Sequence, residues 1–415
     1  MLGGARRRGR EQWKRNNFAA TLAVFLLTAG FAFTIPFLPV YLQEIETMTD
    51  EKAAFWAGVA SALGGLGSMI SGPIWGVLGD RYGRKPMLVR AAFGGAIGLF
   101  LFAFAAATWQ VVAIRFFIGV MAGAPAAAMA LMATSTPSEH LGRSLGVFQA
   151  ATQAGLAIGP LVAATLLSWL SFEWTFIVTA GVMLCGAIAT VVMVVEDRVA
   201  ETERKARPKG ELGAALRSPA VLAILFVVAV VGIGRPMTQP ILPGFVKEIL
   251  DGSGSVNFTI GLLFFGMSAL TAVASLYTAR INERFGFNRV VLVTCLVSAV
   301  LIALTGASST VVQLLVLTWV VAFLQGILAT GTVALLSTAV SAAVVSGVFG
   351  VYQSVQAGSG QVGPLLGGSL AVGLGFRWVF VVGGALFFVA GGIAYAVLQR
   401  SSRPNPDADP APATV

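Results

Sequence analysis

GVFQAATQAGLAIGPL, residues 146–161, returns as GVYQSVQAGSGQVGPL at 350–365. The two stretches align without a gap at an offset of 204 residues. That offset also lays TIPFLPVYLQEI (34–45) on TQPILPGFVKEI (238–249), matching Pro36 to Pro240, Pro39 to Pro243 and Glu44 to Glu248. Trp174 and Phe176 fall on Trp378 and Phe380, and at an offset of 203 GDRYG (79–83) falls on NERFG (282–286). Chance matches do not hold one offset across so much chain, so the sequence is an internal duplication. What was duplicated follows from composition.

Hydrophobic residues make up 57% of the 415 and charged residues only 11%, against about 25% charged in a soluble domain. No polar surface of adequate size can be assembled from this chain, so its solvent is lipid. The net charge of +9 is not a nucleic-acid footprint, because the basic residues sit in short clusters between apolar runs. Cys185 and Cys295 lie in separate apolar runs without CxxC spacing and read as small buried hydrophobes. A single histidine, His140, removes most zinc and Ser-His-Asp chemistry. No metal site, cofactor or enzyme is expected.

A spanning helix needs about 20 mostly apolar residues. Twelve such runs are present: 18–42, 55–78, 88–107, 111–133, 144–167, 174–195, 219–246, 258–279, 290–308, 311–338, 347–372 and 378–398. Period-two alternation is absent, which disfavours a barrel. With the N-terminus inside, inner segments hold 22 of the 27 basic residues, while outer loops hold only Lys52, Lys247 and Arg377. That bias predicts a multi-pass protein of the cytoplasmic membrane with both termini cytoplasmic. The basic N-terminus precedes a span too long for a signal peptide and without a small-residue cleavage site. The expected fold is all-α: twelve transmembrane helices in two pseudo-symmetric six-helix bundles, 1–195 and 218–400. A charged cytoplasmic linker (196–217) joins them, and a disordered cytoplasmic tail (401–415) follows. Parallel six-helix repeats form one group of transporter folds, with the substrate site between the halves near the midplane.

GVLGDRYGRKP (76–86) resembles motif A of the major facilitator superfamily at Gly76, Asp80, Arg81, Gly83, Arg84 and Lys85. RFFIG, with Arg115 and Gly119, resembles motif B. GLAIGPLVAA, with Gly155, Gly159 and Pro160, resembles motif C of proton-coupled exporters, although Ala163 and Ala164 stand where that motif often has glycines. TIPFLPVYLQE in the first helix is similar to the bacterial drug:proton antiporter branch. The resemblance covers residues 16–400. It implies the major facilitator fold, alternating access, and a latch role for motif A.

Several residues carry two readings each. Asp80, at the inner end of the second helix, is placed so that it would face the N-terminus of the eleventh near Ser346 and Gly347. A carboxylate there is worth roughly 0.3–2 kcal/mol, and Arg84 would reach Glu139. The alternative is positive-inside anchoring around a tight Gly83 turn. Arg115 and Arg235 lie within spans, where a cation costs at least ~2.5–3.5 kcal/mol. Each either faces a cavity or pairs with backbone carbonyls. Gly155, Gly159 and Ala163, and Gly360 with its neighbours, form small-residue faces that read as close packing or as hinge elements. No carboxylate lies in the middle of any span. Glu44 is the proton-coupling candidate, against the reading of a solvated loop carboxylate. Further cavity candidates are Gln149, Gln153, Gln239, Tyr277, Gln325, Tyr352, Gln353, Gln356, Phe31, Phe33 and Phe37.

An aromatic-rich, weakly charged cavity suits bulky lipophilic compounds better than sugars. The leading expectation is a monomeric secondary exporter of lipophilic or drug-like small molecules, exchanging them for protons. The rivals are a transporter of lipids or anionic amphiphiles, suggested by Arg235, and a membrane sensor or scaffold that does not transport. Membrane lipid is the remaining expected partner.

Overall fold

Where water is absent, backbone polar groups are satisfied only within helices or closed barrels, and the computed structural model of this chain is helical. It describes residues 2–195, 216–251, 255–339 and 345–401, with no strand among them. The expected linker and tail lie outside the described residues except at their edges. The first half contains α1 (Leu2–Ile45), α2 (Asp50–Tyr82), α3 (Arg84–Phe102), α4 (Thr108–Met121), α5 (Ala124–Ser135), α6 (Ser138–Leu167) and α7 (Phe172–Met193). The second contains α8 (Pro219–Met237), α9 (Leu242–Leu250), α10 (Val256–Phe285), α11 (Phe287–Thr305), α12 (Val311–Ala339), α13 (Val345–Leu374) and α14 (Phe376–Ser401). Nine described segments are long and apolar enough to cross a membrane, and the bent pair α8/α9 makes a tenth. α11, whose apolar stretch is the shorter Arg289–Thr305, and α13, interrupted by Gln, Ser and Gly, complete twelve.

Two runs expected as single helices are broken. The run 111–133 divides into α4 and α5 at Ala122–Gly123, where Gly123 has φ +118° and Pro125 follows in the first turn of α5. Proline lacks the N–H that would continue the ladder. Carbonyls at the break find side chains: Ser68 Oγ donates to Gly119 O (3.0 Å), Trp75 Nε1 to Val120 O (2.7 Å) and Arg90 Nη2 to Ala122 O (3.0 Å). The Arg90 guanidinium also lies 3.6 Å above the Trp75 ring. The run 219–246 ends at Met237 and resumes at Leu242 after a 40° bend, because Pro236, Pro240 and Pro243 all withhold backbone donors.

The duplication extends to side-chain contacts. Thr271 Oγ1 donates to Ala322 O (3.1 Å), the counterpart, 203 residues on, of Ser68 to Gly119. Gly83 (φ +103°) and Gly286 (φ +78°) make matching one-residue turns that open the 19-residue α3 and α11. Tyr41 and Phe176, 4.8 Å apart, correspond to Phe245 and Phe380, 5.2 Å apart.

The halves meet unevenly. Call the end that holds the Gly83 and Gly286 turns the basic end, and the opposite one the distal end. Distally, a methyl added at Gly58 would lie 2.4 Å from Pro364 O, and one at Gly368 would lie 2.6 Å from Phe55 Cα. One at Gly261 would lie 2.9 Å from Pro160 O. Toward the basic end the same helices part: a methyl at Gly72, Gly76, Gly358 or Gly360 would meet nothing within 4 Å. Gln149, Gln353 and Gln356 are exposed there. The two halves form a wedge, closed distally and open at the basic end.

Candidate functional site

Two cavities, one within the second half and one between the halves, meet at Pro236, Gln239 and Gly360. The first, about 240 Å³, is walled by α8, α12 and α13 and carries Arg235, Gln239, Gln325, Thr332, Tyr352 and Gln356. The second, about 360 Å³, is walled by α1, α2, α4 and α13 and carries Phe31, Ser61, Ser68, Arg115 and Gln361. Their size is of the order of ligand clefts, about 300–1,000 Å³. α8 breaks at this level, so Arg235 is held in the last turn before the bend.

The charges at the cavity are one-sided. Arg115 Nη1 donates to Thr34 Oγ1 (3.0 Å), while its buried Nε has no partner. The Arg235 side chain makes no hydrogen bond or ion pair with any described residue. No Asp or Glu is among the described residues lining either cavity. The site therefore presents two cations, several amides and hydroxyls, and an apolar wall.

Six of the expected cavity residues, Arg235, Gln239, Gln325, Tyr352, Gln356 and Phe31, line this space together with Arg115. Gln149 and Gln353 are exposed, Gln153 is half-buried on α6, and none of the three lines either cavity. Phe33 and Phe37 are core instead, each 1% exposed, with Phe33 5.0 Å from Phe176. Tyr277 lines a separate groove with Arg280 and Arg284.

The motif residues divide between packing and turning. Gly119 lets α4 touch α2, since a methyl there would lie 1.9 Å from Gly64 O. Gly155 and Gly159 seat α6 on α1, where methyls would lie 2.7 Å from Phe25 O and 2.3 Å from Ala29 O. On α13 the packing face is Gly363 and Gly367 against α8. Gly360, expected there, lines the cavity instead. Gly83 makes its turn, Arg81 lies 5.5 Å from the Tyr82 ring, and Arg84 opens α3. Lys85 Nζ donates to Val191 O (2.8 Å), and Arg15 donates to Val192 O (2.9 Å). Both cations therefore cap the C-terminus of α7, where the helix dipole favours them.

The side chains of Asp80 and Ser346 and the surroundings of Gly347 lie outside the described residues, so the latch contact does too. Glu139 sits 3.6 Å from His140. Glu44 is exposed at the distal end, with Glu173 as its electrostatic neighbour. It lines neither cavity, and the hydrogen bond that Arg115 makes is to Thr34.

One gate was not anticipated. At the closed distal end, Asp50 Oδ1 accepts from Lys247 Nζ at 3.1 Å and from Gln43 Nε2 at 2.7 Å. Lys247 also approaches Gln43 Oε1 (3.5 Å). This cluster joins the two halves. The offset of 204 holds the missed signal, since Gln43 and Lys247 are repeat mates, and mates close to a pseudo-two-fold axis meet each other.

Comparison with known proteins agrees with this architecture. The profile of the Major Facilitator Superfamily matches residues 20–248 and 224–414. Multidrug resistance protein MdtG of Rahnella sp. (strain Y9602) is 30% identical over 393 residues, covering 94% of each chain. MdtG of Serratia proteamaculans (strain 568) is 30% identical, covering 94% of this chain and 95% of its own. Among solved structures, a bacterial homolog of the human lysosomal transporter Spinster, inward-facing and unoccupied, superposes with a TM-score of 0.79 at 13% identity. It covers 95% of this chain and 99% of its own. The nucleoside transporter NupG gives 0.77 at 12%, covering 92% and 99%. The chain belongs to the Major Facilitator Superfamily and is a multi-pass, helical secondary transporter.

Proposed function

We propose that this transporter exports lipophilic, drug-like compounds across the cytoplasmic membrane by alternating access, in exchange for protons. The carrying observation is the cavity lined by both halves, in a wedge that is shut distally and open at the basic end. The relatives named as multidrug resistance proteins and the resemblance to motif C support export and proton exchange. The basic end is the cytoplasmic one by the positive-inside rule, so the structure is inward-open and both termini are inside. The bundles 1–195 and 218–400 are the rocking units of a monomer. Asp80 latches the cytoplasmic end when it closes: Asp80→Asn should abolish transport while leaving membrane insertion intact. Glu44 is the proton-coupling candidate, and Glu44→Gln with unchanged pH-dependent transport would remove it.

A second reading, the transport of anionic amphiphiles, is favoured by Arg115 and Arg235. An unpaired cation in a low-dielectric cavity gains most from an anionic guest. Proteoliposomes loaded with matched anionic, neutral and cationic lipophiles, with and without an imposed pH gradient, separate the readings. Lipophile flux that builds against its own gradient and collapses with the pH gradient supports proton-driven export, and flux blind to pH refutes it. Arg235→Gln raising the KM of the anionic member alone supports the second reading.

A further inference from the structure

We propose that a groove on the outer wall of α10 binds the headgroup of an anionic phospholipid. The groove, about 440 Å³, is lined by Tyr277, Arg280, Ile281, Arg284 and Phe285 of α10 and by Phe323 of α12. The five α10 residues recur at helical spacing, so they form one stripe. α10 meets the first half through Gly261 and Ser268. Tyr277 lies nine residues, about two and a half turns, beyond Ser268 and hence on the opposite face. The groove therefore looks outward, away from the transport cavity, and shares no lining residue with it.

Its chemistry is that of an anion site in an apolar setting. Neither Arg280 nor Arg284 has a hydrogen bond or ion pair with any described residue. No described carboxylate lines the groove. Tyr277 and Phe285 are about half exposed, and the Arg284 guanidinium lies 5.4 Å from the Phe285 ring. Arg280 sits five residues, about 7–8 Å, inside the end of α10, toward the lipid.

Duplication does not account for it. Shifting by 203 residues puts Arg284 and Phe285 on Arg81 and Tyr82, the shared turn signature. The same shift puts Tyr277 and Arg280 on Ile74 and Val77. The second half alone has gained a phenol and a guanidinium on a wall that is otherwise apolar. A phosphodiester supplies the charge these donors lack, and its acyl chains cover Ile281 and Phe323. Basic pockets at the membrane surface are known takers of anionic headgroups.

The test is native mass spectrometry of the full chain released from micelles containing equimolar phosphatidylglycerol and phosphatidylcholine. The wild type should retain phosphatidylglycerol preferentially. Arg280→Gln with Arg284→Gln should lower that preference on the order of tenfold while leaving phosphatidylcholine retention unchanged. The double lysine variant, which keeps the charge, should retain most of it. Arg289→Gln, an exposed cation outside the groove, should leave it unchanged. Three results overturn the proposal: a preference that survives the double Gln variant, an equal loss in Arg289→Gln, or displacement of the lipid by millimolar inorganic phosphate.

Discussion

Removing the carboxylate at Asp50 should open the distal gate more often, and the structure sets how much. Asp50 and Lys247 are 3.1 Å apart with side chains 31% and 54% exposed, so solvent screens much of their attraction. A half-exposed ion pair is worth ~0–1 kcal/mol. The 2.7 Å bond from Gln43 shares the same oxygen and is weakened with it, so ~1 kcal/mol is a fair total for Asp50→Asn. That corresponds to a factor of about five in the equilibrium between closed and open distal ends. Asn keeps the polar first turn of α2, whose N-cap is the Thr49 side chain accepting the Lys52 N–H, so the helix itself should persist.

The sensitive readout is the minor, distally open state, because its population scales directly with that factor. Ala53 lines the cleft beside the latch and is 1% exposed. A cysteine at Ala53, with Cys185 and Cys295 replaced by serine, should react with a membrane-impermeant maleimide about five times faster when Asp50→Asn is added. Lys247→Gln should do the same, and the two changes together should give little more than either alone, since they remove one interaction. Raising salt from 0.01 to 0.5 M should speed the parent and leave the double variant unchanged. If Asp50→Asn leaves the labelling rate as it was, or if the two substitutions simply add, the pair is not holding the halves together.

Other expectations follow from single contacts. Gly119→Ala places a methyl 1.9 Å from Gly64 O, forcing α2 from α4; a loss of about 1–3 kcal/mol should appear as a lower unfolding temperature in detergent. Gly360→Ala meets nothing within 4 Å and should leave that temperature unchanged while altering which substrates are carried. Trp75→Phe removes the donor to Val120 O at the α4/α5 break and should cost about 1–3 kcal/mol by the same measurement. The Glu46 carboxyl is held below its usual pKa, first by the Thr108 N–H that donates to it. Its contribution is thus complete above the unfolded value of about 4.3 and is lost as pH falls through the lower folded value. Wild-type stability should fall in that acid range, with Glu46→Gln lower at neutral pH and flatter.

Repetition and apolarity are periodic signals that survive in one dimension, which is why twelve spans and a two-fold design could be read directly from the residues. The breaks were less legible. Gly123 and Pro125 are common within spanning helices, and only the arrival of Trp75 and Arg90 from other helices makes a break tolerable there. The cavity residues Arg235, Gln239, Gln325 and Gln356 stood out because polar groups inside spans are costly. Phe33 and Phe37 misled because an aromatic side chain fits a core and a cavity wall equally well. Asp50 and Lys247 were hidden by the opposite effect. At a helix end a charge costs almost nothing, so its presence there carries no signal until the fold brings the two together.

The modest strength of that latch bears on how the transporter works. Driving a two-state equilibrium from 1:99 to 99:1 takes about 5.5 kcal/mol of differential ligand affinity. A distal gate worth ~1 kcal/mol and a proposed Asp80 contact worth roughly 0.3–2 kcal/mol both fall well inside that range, so a bound substrate can outvote either. Gates several times stronger would trap the protein on one side. Cross-linking cysteines placed at Asp50 and Lys247 should therefore stop turnover while leaving substrate binding from the basic end intact, and reduction should restore it. Turnover that continues through the cross-link would mean that the distal end need not open, and the wedge would not be one of two alternating states.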